Sequence, residues 1–141
     1  MLANHPKSTR MLAGLAVFVS ALGPAAAQAQ GKWTRLSTSP QGYVLHAQTP
    51  VRPTVGQTIQ VNTLLDYEQT QYWGHKVERF QSSTAAWELN CNTGSYRAMG
   101  FAVHAERMGK GPLLNQQAQS TEWLVAPTGS IPSELLRWAC R

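Results

Sequence analysis

Alternation of apolar and polar residues is the clearest pattern in this chain, and it is strongest between positions 59 and 65. This period of two is the signature of a half-buried β-strand, because successive side chains of a strand point to opposite faces. We expect this strand to end at 66–67. One side of the strand carries Ile59, Val61, Thr63 and Leu65, and the other carries Gln60, Asn62 and Leu64.

Other segments predict further strands, separated by turns rich in glycine, proline and asparagine. We expect the segment 31–35 to open the fold, 68–74 to be a connecting loop and 116–120 to be polar loop. In 96–107 both sides are largely uncharged as far as His104, which is typical of a central strand covered on both faces. The remaining predicted strands are 43–47, 76–83, 84–91 and 122–126.

The C-terminal segment carries the signals of a short helix. Ser130 is a favourable N-cap residue, Pro132 suits the first turn, and Glu134 lies near the positive end of the helix dipole. We expect about two helical turns over 133–140. The pattern as a whole predicts an α+β fold, an antiparallel sheet of about five to six strands with a short C-terminal helix.

The first 29 residues read as a signal peptide. Lys7 and Arg10 lie in a positive leading region, and the apolar stretch 11–22 is too short to span a bilayer. Small residues then allow cleavage after Ala27 or Ala29. An uncleaved anchor helix is the alternative. No cysteine lies near the cleavage point, so no lipobox is expected, and residues 30–141 form one exported domain in the periplasm, in the medium or at the cell surface.

The charge of the chain excludes little about its partners. Removing the signal removes Lys7 and Arg10 and lowers the net charge from +5 to +3. This mild positive charge permits contact with acidic surfaces or acidic glycans. The chain has no run of lysine and arginine, so a nucleic-acid partner is not expected, and no later segment is apolar enough to predict a transmembrane helix.

Cys91 and Cys140 are the two cysteines of the chain. In an exported protein such a pair predicts one disulfide, which here closes a loop of about 50 residues. The bond would fasten a helix too short to persist alone in water to the strand ending at Cys91. Two free thiols or a redox-active pair are the alternatives, although the C-x-x-C spacing of redox pairs is absent.

Candidate catalytic groups are scarce. His46, His75 and His104 stand without partners at metal-ligand spacing, and no nucleophile-elbow or triad pattern occurs. Asp66 and Glu68 would share a face of a strand, but a solvated strand end explains them as well as an acid–base pair does. We therefore expect no enzyme activity, no metal and no cofactor.

Two groups of residues are candidates for binding a partner. The aromatic cluster 72–75 is either a contact patch or a loop that folds its rings onto the core. Five cations, at positions 76, 79, 97, 107 and 110, form a basic face only if their strands are neighbours; otherwise they are ordinary solvated charges. The candidate partner-binding residues are Tyr72, Trp73, Lys76, Arg79, Arg97 and Arg107.

Several short motifs in a fixed order resemble the surface-adhesin protein E family of proteobacteria. The resemblance extends from about Trp33 to Cys140. The motifs are Leu64-Leu65-Asp66-Tyr67, Ser82-Ser83, Trp87-Glu88-Leu89-Asn90-Cys91, Tyr96-Arg97, Glu122-Trp123 and 125–130, closing at Cys140.

The resemblance implies an antiparallel sheet with a C-terminal helix fixed to it by a disulfide, which agrees with the pattern above. It also implies attachment to host extracellular-matrix or plasma proteins such as vitronectin and laminin, and a homodimer as one assembly. The alternative function is that of a periplasmic envelope protein of the same fold without a host ligand, because fold alone does not fix function.

Overall fold

An antiparallel sheet and one helix make up the fold from Gly31 to Arg141. The computed structural model describes residues 31–49, 51–53, 56–75, 78–118 and 120–141, so the predicted signal peptide lies outside the described residues. A 3₁₀ turn spans Arg107–Gly109. The strands and the helix are β1 (Lys32–Ser39), β2 (Tyr43–Thr49), β3 (Arg52–Pro53), β4 (Thr58–Trp73), β5 (Glu78–Asn90), β6 (Ser95–His104), β7 (Leu113–Gln117), β8 (Leu124–Val125) and α1 (Ile131–Ala139).

The sheet confirms the predicted fold class. Six strands follow the order β1-β2-β4-β5-β6-β7, and the two-residue strands β3 and β8 pair with β4 and β6. All of these pairings are antiparallel. The central strands β4 and β5 are also the longest, with 16 and 13 residues.

The main core lies between one face of the sheet and the helix. Ala47, Val61 and Leu89 are at most 1 % exposed and pack with Leu135 of α1, which is fully buried. Val61 belongs to the apolar side of the alternating segment 59–65, as its period of two predicts. Each fully buried leucine of this cluster stabilises the fold by roughly 2 kcal/mol relative to an exposed one. We call this side of the sheet the helix face.

The predicted disulfide and helix cap are confirmed. Cys91 and Cys140 are bonded, with their Cα atoms 5.4 Å apart and a sequence separation of 49. The Ser133 N–H donates a 3.3 Å hydrogen bond to the Ser130 hydroxyl oxygen, which caps the helix at its start. The helix begins at Ile131 rather than at 133, because Pro132 is accommodated within the first turn.

The predicted loop at 68–74 is wrong, because β4 continues to Trp73. Its register against β5 shifts between Asp66 and Gln71, and beyond the shift residues 71–73 pair with 78–80. The two strands predicted at 76–83 and 84–91 are one strand, β5, whose described part runs unbroken from Glu78 to Asn90. Polar residues interrupt the alternation in both places, and backbone pairing between the strands continues through them.

The expectation of a strand covered on both faces over 96–107 is also wrong. Within β6 only Val103 is buried, and the strand ends at His104. Its small residues instead allow the backbone of the neighbouring strand β7 to approach closely. A Cβ built on Gly100 would lie 2.6 Å from the carbonyl oxygen of Gln117 in β7. The strand β7 spans Leu113–Gln117, so part of the expected polar loop at 116–120 is a strand. The strand β1 runs past the expected opening segment 31–35 as far as Ser39.

Candidate binding surfaces

The paired ends of β4 and β5, residues 71–73 and 78–80, form what we call the hairpin tip. Tyr72 is 62 % exposed and lies directly opposite Arg79, which is also exposed. Trp73 is 41 % exposed. Three of the predicted partner-binding residues therefore meet on one hairpin, whereas Lys76 lies outside the described residues.

Aromatic contacts hold the hairpin tip against the rest of the sheet. The Trp73 ring lies 5.8 Å from the Phe101 ring of β6, centroid to centroid. Phe80 is buried and meets the Tyr67 ring edge-on at 5.5 Å. Such aromatic pairs stabilise by about 1 kcal/mol beyond the area that they bury. Trp73 thus packs on the sheet, as the second interpretation of the cluster expects, while Tyr72 faces solvent and its part in a contact patch stays a prediction.

Asp66, at the base of this hairpin, holds the 3₁₀ turn. Its carboxylate accepts hydrogen bonds from the Arg107 guanidinium at 2.5 and 3.1 Å and from the Met108 N–H at 2.8 Å. The Asp66 side chain is 5 % exposed and that of Arg107 is 53 % exposed. Arg107 is therefore committed to an ion pair, although part of its side chain remains accessible.

The surroundings of Asp66 favour its ionised form. Burial alone would raise the pKa of this carboxyl group. The hydrogen bonds from Arg107 and Met108 and the attraction of the nearby Arg107 and His46 outweigh burial, so the pKa lies below its ordinary value. The folded state therefore holds Asp66 as a charged carboxylate at neutral pH.

Ser82 provides the second anchor of the 3₁₀ turn. Its hydroxyl donates to the Glu106 carbonyl oxygen at 2.5 Å and accepts from the Gly109 N–H at 2.9 Å. Ser82 is fully buried, so these bonds form away from water. Met108 takes a left-handed conformation, with φ of 57°, inside this anchored turn. We interpret the Asp66 and Ser82 pair as a structural clamp rather than as a catalytic site.

Arg97 lies near the opposite end of the sheet. Its guanidinium makes a 2.6 Å ion pair with Glu88 on β5 and lies 5.0 Å from the centre of the Trp123 ring. Next to this stack the edge is apolar, with Leu124 46 % and Val125 79 % exposed. Sequence reasoning missed this edge, because three consecutive apolar residues were interpreted as part of an ordinary strand.

The candidate basic residues therefore lie in separate parts of the fold and do not form one basic face. Arg97 lies opposite Glu88, which is nine residues from Arg79 along β5, or about 30 Å at the rise of an extended strand. Arg107 lies at the base of the hairpin. Among the described residues, the hairpin tip gathers more of the predicted set than any other place.

The described part of the chain offers no cluster of three potential metal-ligating side chains. It also contains no helix long and apolar enough to cross a membrane.

Comparisons with known proteins agree with this architecture. Two solved structures of Haemophilus influenzae protein E superimpose with TM-scores of 0.57 and 0.55. The first is 11 % identical in sequence, and the match covers 76 % of this chain and 95 % of the protein E chain. The second is also 11 % identical, and the match covers 77 % of this chain and 92 % of the protein E chain. Protein E from non-typeable Haemophilus influenzae gives a TM-score of 0.55 at 12 % identity, covering 77 % of this chain and 84 % of its own. At these identities the likeness shows the fold.

No curated protein sequence matches the chain. The family model described as surface-adhesin protein E matches residues 33–141, which is nearly all of the described fold. That family is one of surface adhesins rather than of enzymes. The chain belongs to the surface-adhesin protein E family.

Proposed function

We propose that this protein is an exported, non-enzymatic adhesin that binds host extracellular-matrix or plasma proteins, with vitronectin and laminin as the first partners to test. Family membership supports a surface role. The observation that carries the proposal is the hairpin tip, where the exposed Tyr72 ring lies beside Arg79 on an anchored hairpin.

The chemistry of the hairpin tip suits a protein partner. Tyrosine, tryptophan and arginine are the residues most enriched among those that dominate binding energy at protein interfaces. The Trp73–Phe101 and Phe80–Tyr67 contacts hold the hairpin in place before binding, so less conformational entropy is lost on association. The partner would cover Tyr72 and bring an acidic group to Arg79.

The other predicted residues have supporting roles in this proposal. Lys76 precedes Arg79 by three positions in the sequence and adds positive charge for an acidic protein segment or acidic glycan. Arg97 and Arg107 are already paired with Glu88 and Asp66, so a partner would have to compete with those carboxylates. The exposed apolar edge at Leu124 and Val125 supports contact with a second copy, the homodimer that the family resemblance implies.

Replacing Tyr72 and Arg79 together with alanine is expected to weaken binding to vitronectin or laminin at least about tenfold, because both contacts are lost at once. Biolayer interferometry of the purified protein on immobilised vitronectin and laminin measures this change. Arg137→Ala, which removes an exposed cation from the helix, is the matched control and should leave the affinity unchanged.

Two results would contradict the proposal. One is the absence of saturable binding of the wild-type protein to either partner. The other is saturable binding with the same affinity in the hairpin double variant and in Arg137→Ala, which would move the contact surface away from the hairpin tip.

A further inference from the structure

The face of the sheet opposite the helix carries a shallow trough that none of the roles above uses. The trough has a volume of about 410 Å³, within the range of small-ligand sites. It crosses the strands along one row of paired residues. Trp33 pairs with Gln48, and further along the row Asn62 pairs with Ala86 and Ala86 with Gly100. A hydrogen bond between the side chains of Gln48 and Asn62 joins the two parts of the row.

Small residues make the floor of this trough, and larger ones make its ends. Ala86, Gly100 and Ala102 project little or no side chain from the two floor strands. A β-bulge interrupts the floor at Met99, because Ala86 pairs with Gly100 and Trp87 with Ala98, and Met99 is left unpaired and lines the trough. Trp33 stands at the β1 end and Gln116 at the β7 end. The floor is thus open to a flat ring.

The lining of the trough is uncharged, and polar side chains such as Gln48 and Asn62 lie among apolar ones. None of the described residues that line the trough is acidic or basic, although the whole chain carries 12 Lys and Arg and 7 Asp and Glu. The Asn62 amide donates to the Gln48 side-chain oxygen at 2.9 Å, and the Gln48 amide donates to the Gly31 carbonyl at 3.2 Å. These bonds fix the orientation of both amides, and each amide retains further donor and acceptor capacity.

We propose that this trough binds a short, uncharged oligosaccharide. Amide groups both donate and accept, as sugar hydroxyl groups do, and the negative face of the half-buried Trp33 indole suits the C–H groups of a sugar ring. The absence of charged lining residues disfavours acidic glycans. An extended peptide is disfavoured because the floor strands are paired on both sides and offer no free edge for an added strand.

Phe101 lines the trough and also contacts Trp73 of the hairpin tip, so the variants that separate the two sites are placed at Trp33, Asn62 and Tyr72, outside that ring contact. Isothermal titration calorimetry of the purified protein tests four neutral probes: cellotetraose, maltotetraose, mannotetraose and N-acetylchitotetraose. A heparin tetrasaccharide is the charged probe and tetraglycine is the peptide probe. We expect saturable binding to at least one neutral tetrasaccharide with a dissociation constant below about 1 mM. In an NMR titration with the same oligosaccharide, the Trp33 indole N–H resonance should shift.

Trp33→Ala and Asn62→Asp should each weaken this binding at least about tenfold. Asn62→Asp keeps the side-chain shape, so it tests the amide even if Trp33→Ala perturbs folding. Tyr72→Ala is the control on the hairpin tip; it should keep oligosaccharide affinity, while Asn62→Asp should keep any binding to vitronectin or laminin. The proposal is overturned if no neutral probe saturates, if only the heparin tetrasaccharide or tetraglycine binds, or if Asn62→Asp binds as the wild type does.

Discussion

Replacing Cys91 and Cys140 together with alanine is expected to lower the free energy of unfolding by about 4 kcal/mol. The bond closes a loop of 49 positions, and removing it returns the entropy of that loop to the unfolded chain. The helix that it fastens has nine residues, fewer than an isolated helix needs in water. Urea denaturation followed by circular dichroism measures the loss.

The reduced wild-type protein is the matched control, because it removes the bond without changing any side chain in the core. Its free energy of unfolding should agree with that of the double variant. Amide hydrogen exchange should show α1 opening before β4 and β5 in both proteins, since the packing of Leu135 and its apolar neighbours then holds the helix without a covalent bond. A double variant within about 1 kcal/mol of the oxidised wild type would refute a stabilising role for the disulfide.

Asp66→Ala is expected to lower the free energy of unfolding by about 2 kcal/mol, because it leaves a part-buried N–H donor without its acceptor. The substitution removes the acceptor of the Met108 N–H and of the Arg107 guanidinium. The 3₁₀ turn then loses these bonds to β4 and keeps the bond from the Gly109 N–H to Ser82 of β5. Urea denaturation at pH 7 measures the change, and Glu78→Ala, an exposed carboxylate of the hairpin tip, should change stability little.

The contribution of Asp66 also depends on pH. Because its folded pKa lies below the ordinary value of about 3.9, the stabilisation is complete above that value and is lost as the pH falls through the folded pKa. The difference in unfolding free energy between wild type and Asp66→Asn should therefore shrink as the pH falls below about 4. A difference that stays constant from pH 7 to the acid limit would contradict the charged role of Asp66.

The parts of the fold that could be predicted from sequence are those in which burial leaves a periodic trace. Val61 alternates with polar neighbours because one face of β4 packs under the helix. Ser130 and Pro132 signal the helix start through local hydrogen bonding and fixed backbone angles, which need no tertiary information. The Cys91–Cys140 bond followed from the expected export of a chain with two cysteines.

The elements that could not be predicted are those held by pairing rather than by burial. The end of β4 at Gln71–Trp73 and the polar residues of β7 are strands because neighbouring strands accept and donate their backbone hydrogen bonds. The same limit applies to binding surfaces. The trough joins Trp33 to Gly100 only through the register of five strands, and no spacing in the sequence reveals that row.

Protease shaving of intact producing cells shows whether this member of the surface-adhesin family acts at the cell surface, as we propose. We expect the protein to be cleaved or released from intact cells while a periplasmic marker stays protected. Protection of the protein in intact cells, with cleavage only after the outer membrane has been permeabilised, would contradict the adhesin role and leave the periplasmic envelope protein.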